Sequence, residues 1–198
     1  MRHKYATPAI VLSRSPLSEA SSLITLLTSD VGLVRARAQG VRKPGAKMAS
    51  ALQTLVECDV MLLRGKEGWR LAGALHTNDW FAKLSRPARL RAGRIASLLL
   101  RLVHGETADA SSTFYTIFLQ YLMALSELSA TATESDEAAA DAAECLVALR
   151  ILHALGVDAG SIPGELRGGY TAEILESVIE NRPDFVLRIN RGIAASGL

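Results

Sequence analysis

The chain has 198 residues, of which 49% are hydrophobic and 21% charged, and its formal net charge is only +2. This composition excludes a disordered chain and is typical of a folded protein with one or two domains. Its two cysteines, Cys58 and Cys145, match no zinc-ligand spacing, so no metal and no other cofactor is expected. No signal peptide is recognisable and no apolar run approaches the ~20 residues of a membrane span, which predicts a cytoplasmic protein.

The first part of the chain predicts β-structure. Short runs rich in β-branched and apolar residues cover Thr7–Arg14, Ser21–Thr28 and Leu33–Gln39. Leu52–Arg64 is a further run rich in β-forming residues. The segments Cys58–Arg64 and Trp69–His76 flank the turn "GKEG" and predict a hairpin. Five short strands with glycine-bearing turns favour a small closed barrel over a sandwich.

The remainder predicts helices. The segment "RPARLRAGRIASLLLRLVHG" has an apolar stripe that includes Leu90, Ile95 and Leu99, with Arg94 on the same side. A second helix is expected to begin at Ser111 or Ser112, and a third near Thr133. "CLVALRILHALG" is apolar nearly all round, so it is expected in the centre of the helical part. A helix ending at Pro183 follows, and the tail is ambiguous between loop and one more short helix. The chain is therefore predicted as α+β, with a barrel over residues 1–80 and an all-α domain over residues 81–198.

The small net charge conceals two very different halves. Residues 1–94 carry a net charge of +10, whereas residues 95–198 carry −8. A strongly basic half points first to a polyanionic partner, although two oppositely charged surfaces that attract each other would give the same numbers.

The basic residues concentrate in one strand and the loop after it. In "VRARAQ" the apolar residues alternate with Arg35 and Arg37, so the strand should present the two guanidinium groups on one face, about 6–7 Å apart. Gly40 then allows a turn into a loop with Arg42, Lys43 and Lys47. A basic strand face that continues into a basic loop is suited to binding a phosphate backbone, and a merely solvated edge strand is the alternative.

The N-terminal sequence resembles the bacterial recombination mediator family RecO. The resemblance rests on an ordered set of features rather than on one motif, and it covers the first ~80 residues well and the helical part, through "LRILHALGV" (Leu149–Val157), only loosely. The features are the "AIVL" strand, a Glu-Ala turn, the pattern "T…G…A.G", the basic loop and a Leu-bearing segment, found here at Ala9–Leu12, Glu19–Ala20, Thr28, Gly32, Ala38, Gly40, Arg42–Lys47 and Leu52–Leu55.

The resemblance implies an OB-fold followed by a helical domain, in a protein that is not an enzyme. It implies binding of single- and double-stranded DNA, annealing of complementary strands coated by single-strand DNA-binding protein, and cooperation with RecR in loading RecA. It also implies association with the nucleoid, and the tail of single-strand DNA-binding protein as a ligand of the helical part, near a cation such as Arg101 or Arg150. Many family members carry a four-cysteine zinc site after the "LG" helix, but this chain has "DAGSIPGELRGG" there. It also lacks the family's aromatic residue after "LQ".

Other candidate residues have simpler structural roles as alternatives. Arg86 and Arg89, in a segment that also contains Arg91 and Arg94, could extend a DNA surface or neutralise acidic residues of the helical half. Lys4 and Arg14 are weaker DNA-binding candidates. The aromatic residues Trp69, Trp80 and Phe81 fit core packing better than base stacking, and the isolated histidines support no catalytic site. An OB-fold that binds RNA and a protein-interaction scaffold remain as alternative functions.

Overall fold

The computed structural model describes residues 3–43, 45–46, 48–103, 108–129, 134–164 and 168–196. The chain forms two compact units: residues 1–82 with 104–115, and residues 83–103 with 116–198. The division into domains at residues 80 and 81 stays a prediction. Within the described ranges, no helix combines the length and the apolar character that crossing a membrane requires.

The described part of the first unit contains five strands, a short helix and the first residues of a longer helix. β1 (His3–Pro16) is long enough to pair with two neighbours, and a bulge between Val11 and Ser13 bends it. The other strands are β2 (Ser22–Thr28), β3 (Gly32–Ala38), β4 (Val56–Gly65) and β5 (Gly68–Asp79), and helix α1 (Trp80–Lys83) follows β5.

The strands close into a barrel in the order β1-β2-β3-β5-β4. All neighbouring pairs are antiparallel except β3 and β5, which run parallel through three residue pairs, Ala36–Trp69, Arg37–Arg70 and Ala38–Leu71. A five-stranded barrel with this Greek-key connectivity is an OB-fold, so the predicted α+β class and barrel are confirmed.

The barrel interior is filled by the apolar residues that alternate along each strand. Val34, Ala36 and Ala38 of β3 are all buried, and so are Cys58, Val60 and Leu62 of β4. The loop between β3 and β4 contributes to this core through the buried residues Val41, Ala51 and Leu52. The loop therefore belongs to the folded body of the barrel, and its ends are fixed in place.

The half-buried carboxylate of Glu57 joins the helical segments of the first unit to the barrel. Glu57 of β4 accepts hydrogen bonds from Trp80 Nε1 and from the Tyr115 hydroxyl, each at 3.0 Å. Trp80 is only 6% exposed and Tyr115 8%. The prediction that Trp80 packs rather than stacks on bases is therefore confirmed.

The second unit is built from helices. α2 (Arg86–Leu102) begins after Ser85, whose hydroxyl accepts from the Ala88 N–H. α3 (Ala108–Leu128) begins in the first unit and continues in the second, so the predicted start at Ser111 or Ser112 is wrong by one turn. The helices that follow are α4 (Glu134–Ala154), α5 (Ala172–Glu180) and α6 (Arg182–Ala195). Thr133, the predicted cap of α4, lies outside the described residues, and Pro183 lies in the first turn of α6.

Helix α4 lies at the centre of the second unit, as its sequence predicts. Every residue from Cys145 to Leu152 is buried, including Arg150. Arg150 donates from Nη1 to the Gly168 carbonyl at 2.8 Å and from Nη2 to the Gly169 carbonyl at 3.3 Å. Its guanidinium thus fastens the loop before α5, and it is not available to a ligand at the surface.

The core-facing side of α2 includes Ile95 and Leu99 of the predicted stripe, but it excludes Leu90 and Arg94. Leu90 is 61% exposed, whereas small residues at helical spacing, Ala88, Ala92 and Ala96, are buried with Arg91. Small side chains allow close approach of a neighbouring helix, and Arg91 turns inward because acidic residues of α4 surround it.

Arg91 is the centre of an ion-pair cluster between α2 and α4. Its guanidinium bonds to Asp141, to Glu137 at 2.7 Å and to Glu144 at 3.2 Å. Arg94 binds Glu144 through two nitrogens, at 2.5 and 2.6 Å. The predicted alternative that these arginines neutralise acids of the helical half therefore holds for Arg91 and Arg94.

Replacing Arg91 by Met should destabilise the helical unit by about 3 kcal/mol, because it leaves three carboxylates together without their buried cation. Arg94→Met is the matched control: the Arg94 side chain is 57% exposed, so its loss should cost less than about 1 kcal/mol. Urea unfolding followed by circular dichroism measures both. Equal losses in the two variants would contradict the central role of Arg91.

The two thiols should be inert in the folded protein. Burial raises the pKa of Cys58 to about 12 and that of Cys145 to about 11, so neither forms the reactive thiolate near neutral pH. A colorimetric disulfide reagent at pH 8 should modify neither thiol in the native protein and both after unfolding. Rapid native-state modification of either one would show that the burial is incomplete.

Candidate nucleic-acid interface

The strand β3 presents its arginines as its sequence predicts. Arg35 and Arg37 are exposed, while Val34, Ala36 and Ala38 between and beside them are buried. The cause is the two-residue period of the strand, which places successive side chains on opposite faces of the barrel wall.

Barrel closure places further cations beside Arg37. Arg37 pairs with Arg70 of β5, Arg70 pairs with Leu63 of β4, and Leu63 pairs with Lys4 of β1. Paired residues point to the same face, so Arg37, Arg70 and Lys4 form a row, here named the basic row, along the outside of four adjacent strands. With neighbouring strands about 4.8 Å apart, this row is about 14 Å long.

A cleft lies next to the basic row, at the turn between β4 and β5. Its volume is about 670 Å³. We name it the hairpin cleft; its lining residues are Arg37, Gln39, Leu63–Lys66 and Glu67–Arg70. Four cations, Arg37, Arg64, Lys66 and Arg70, face a single carboxylate there, that of Glu67. The cleft therefore has a strong excess of positive charge.

The wall of the hairpin cleft contains a cation held against an indole. The guanidinium carbon of Arg64 lies 5.3 Å from the centre of the Trp69 ring, over its face. Trp69 is 8% exposed, and Tyr5 contacts it edge-on, with ring centres 5.2 Å apart. Trp69 is thus a packed residue, as predicted, and it supports Arg64 rather than facing solvent itself.

The match to known proteins falls on this barrel. Residues 1–73 match the family model described as "Recombination protein O N terminal". Over these residues the chain is similar to the N-terminal domain of the RecO family. Over 71 residues the chain is 44% identical to the DNA repair protein RecO of Synechococcus elongatus, which covers 36% of this chain and 27% of that protein. Over 64 residues it is 38% identical to the DNA repair protein RecO of Dehalococcoides mccartyi, covering 32% of this chain and 25% of the relative. The corresponding protein of Acaryochloris marina is 39% identical over 74 residues, 37% of this chain and 25% of its own. The similarity thus spans about a quarter of the length of these curated relatives.

Two of the predicted cations hold the β3–β4 loop of the barrel in place. Arg42 Nη1 donates to the Ser18 carbonyl at 2.5 Å, and Arg14 Nη2 donates to the Val41 carbonyl at 3.5 Å. Arg14 is half-buried, whereas Arg42 and Lys43 are exposed. These contacts connect the β3–β4 loop to β1 and to the β1–β2 turn. Lys47 lies outside the described residues.

The remaining predicted candidates lie on the other unit. Arg86 is exposed and Arg89 is half-buried, both in the first turns of α2. Their assignment to a DNA surface stays a prediction, as does that of the barrel cations.

Arg64, Lys66 and Arg70 of the hairpin cleft are not among the DNA-binding residues predicted from sequence. The sequence does contain a signal for a basic surface here, because "RGKEGWR" carries three cations and one acid over seven residues. The sequence alone predicts only a turn for this segment, because its position beside Arg37 depends on the parallel pairing of β3 with β5. No cluster of metal-binding side chains exists among the described residues.

The Arg42 contact predicts a change in loop dynamics. Replacing Arg42 by Gln removes the bond to Ser18, so the amides of Lys43 and Ala46, which bond within the loop, should exchange faster with solvent. Hydrogen exchange followed by NMR measures the rates, and Arg35→Gln, an equal loss of charge on the rigid strand, is the control. Equal protection in both variants would show that Arg42 does not anchor the loop.

Proposed function

We propose that this chain is a non-catalytic DNA-binding protein of DNA repair and recombination, and that the outer surface of its barrel binds the DNA. The observation that supports this most directly is the basic row together with the hairpin cleft, in a domain similar to the N-terminal domain of the RecO family. The relatives carry the printed name "DNA repair protein", which supports the process to which this chain would contribute.

The chemistry of the surface fits a phosphate backbone. Arg37, Arg70 and Lys4 are exposed, and arginine is charged at every physiological pH. Neutralising phosphates with such side chains releases condensed counterions, which gives affinity that depends on salt and little on sequence. Strand faces and loops of OB-folds are common sites for nucleic acids because they offer an open, curved surface.

The finer role that we propose is that of a recombination mediator. A surface that neutralises two strands together lowers their mutual repulsion, so complementary strands can pair. We propose this annealing activity, the loading of RecA on strands coated by single-strand DNA-binding protein, and RecR as a partner. Binding to both single- and double-stranded DNA and association with the nucleoid belong to the same proposal. The family resemblance supports it.

The proposed contact with the tail of single-strand DNA-binding protein rests on that resemblance alone. Arg150, one of the two cations suggested for it, is fully buried, so Arg101 on the exposed side of α2 is the remaining candidate. A groove of about 410 Å³ lies between α2, α4 and α6. Its cations Arg94 and Arg182 already bind Glu144 and Asp141, so it offers little surplus charge to an acidic tail.

Fluorescence anisotropy of a labelled single-stranded oligonucleotide across a salt series tests DNA binding. The log–log slope of affinity against salt should be about −3, from ~4–5 phosphate contacts at ~0.7 each. The double variant Arg35→Ala/Arg37→Ala should fold normally, reduce the slope by about 1.4 and weaken binding roughly tenfold.

The matched control removes the same charge from the helical unit. Arg101→Ala/Arg191→Ala replaces two exposed arginines there and should leave the slope unchanged. Equal effects of the two double variants would show that net charge, rather than the barrel surface, determines binding. Tighter binding of a matched RNA would favour the RNA-binding alternative. Absence of any salt-sensitive binding would contradict the proposal and favour a protein-interaction scaffold.

A further inference from the structure

The hairpin cleft contains more than surface charge. Arg64 is exposed and lines the cleft, but its guanidinium also lies over the ring of the buried Trp69. Tyr5 fixes the indole from its edge. Arg64 is therefore supported on one side by a packed aromatic ring, which restricts the orientations of a normally mobile side chain.

A planar cation held in this way offers a flat surface on which a nucleobase can stack. Guanidinium planes stack on nucleobases, and such stacking is tolerant of base identity because every base has a π-face. Around it, Arg37, Lys66 and Arg70 line the same cleft and carry the charges that bind phosphates. Glu67, the single carboxylate, lies at the turn between them.

We propose, building on the DNA-binding function above, that the hairpin cleft binds one unpaired nucleotide of a single strand. Its base stacks on Arg64, and the phosphates on either side of it bind Arg37, Lys66 and Arg70. The site thus adds a preference for unpaired bases to a barrel surface that otherwise binds any phosphate backbone.

The size of the cleft selects an unpaired nucleotide over a duplex. A volume of about 670 Å³ is that of a small-molecule pocket, too small for a double helix to enter. Within a duplex, each base is covered on both faces by its neighbours, and exposing one requires unstacking that costs a few kcal/mol. A duplex can therefore bind the basic row from outside, but its bases do not reach Arg64.

The test compares two single strands that differ only in their bases. An oligothymidine and an abasic strand of the same length carry equal phosphate charge, so only base contacts distinguish them. Wild-type protein should bind the oligothymidine roughly fivefold more tightly, the low end expected for one stacked base. Arg64→Lys keeps the charge but removes the plane, so it should bind the two strands equally, with an unchanged salt slope.

Three controls make the result specific. Arg35→Lys makes the same chemical change on the outer face of β3 and should keep the fivefold preference. A blunt duplex should bind wild type and Arg64→Lys equally. Lys66→Ala/Arg70→Ala should reduce the salt slope by about 1.4, as expected for two lost phosphate contacts.

The possible outcomes separate the single-nucleotide site from the DNA-binding function on which it rests. Salt-dependent binding without a preference for bases, or with a preference that survives in Arg64→Lys, overturns the single-nucleotide site and leaves the DNA-binding function intact. An unchanged salt slope in Lys66→Ala/Arg70→Ala also overturns it. Loss of all salt-dependent binding in the wild type overturns both proposals.

Discussion

The parallel pairing of β3 with β5 is the contact on which the architecture of the barrel depends. It involves only three residue pairs, and it joins strands that are more than thirty residues apart in sequence. Without it, the strands would form an open sheet, with Arg37 at an edge. With it, Arg37 lies beside Arg70, and the turn between β4 and β5 comes next to the end of β3. The candidate interface is thus a product of closure rather than of any one segment.

The arginines of the helical unit bind acidic side chains, whereas two arginines of the barrel lie side by side and exposed. In the helical unit, Arg91 and Arg94 bind acidic residues of α4, and Arg188 of α6 binds Asp158 in the loop after α4. These cations hold helices and loops together. In the barrel, Arg37 and Arg70 are exposed on neighbouring strands, where two like charges repel each other. A surface that keeps such a repulsion is suited to an anionic ligand, because ligand binding relieves it.

Aromatic residues have a supporting role in this protein. Trp69 and Trp80 are both buried, and each contacts a polar partner: Arg64 lies over the first, and Glu57 accepts from the second. Glu57 thereby connects the barrel wall to α1, and Trp69 restricts Arg64. A barrel with few aromatic residues can still offer a stacking surface in this way, because the guanidinium supplies the exposed plane and the indole supplies its rigidity.

The sequence by itself determined most of the elements, and it determined the buried faces of β3 and of the central helix α4. Two-residue alternation predicted the exposed arginines of β3, the apolar segment around Leu149 predicted the central helix, and the glycine-flanked turn predicted the β4–β5 hairpin. Local periodicity suffices for these features because each one depends on residues close in the chain. Only the tertiary structure decided which cations meet. Arg91 turned inward because α4 brings three carboxylates to it, and Arg64, Lys66 and Arg70 joined Arg37 because the barrel closes. Such contacts form between residues distant in sequence, and no local pattern specifies which distant segment will be the neighbour.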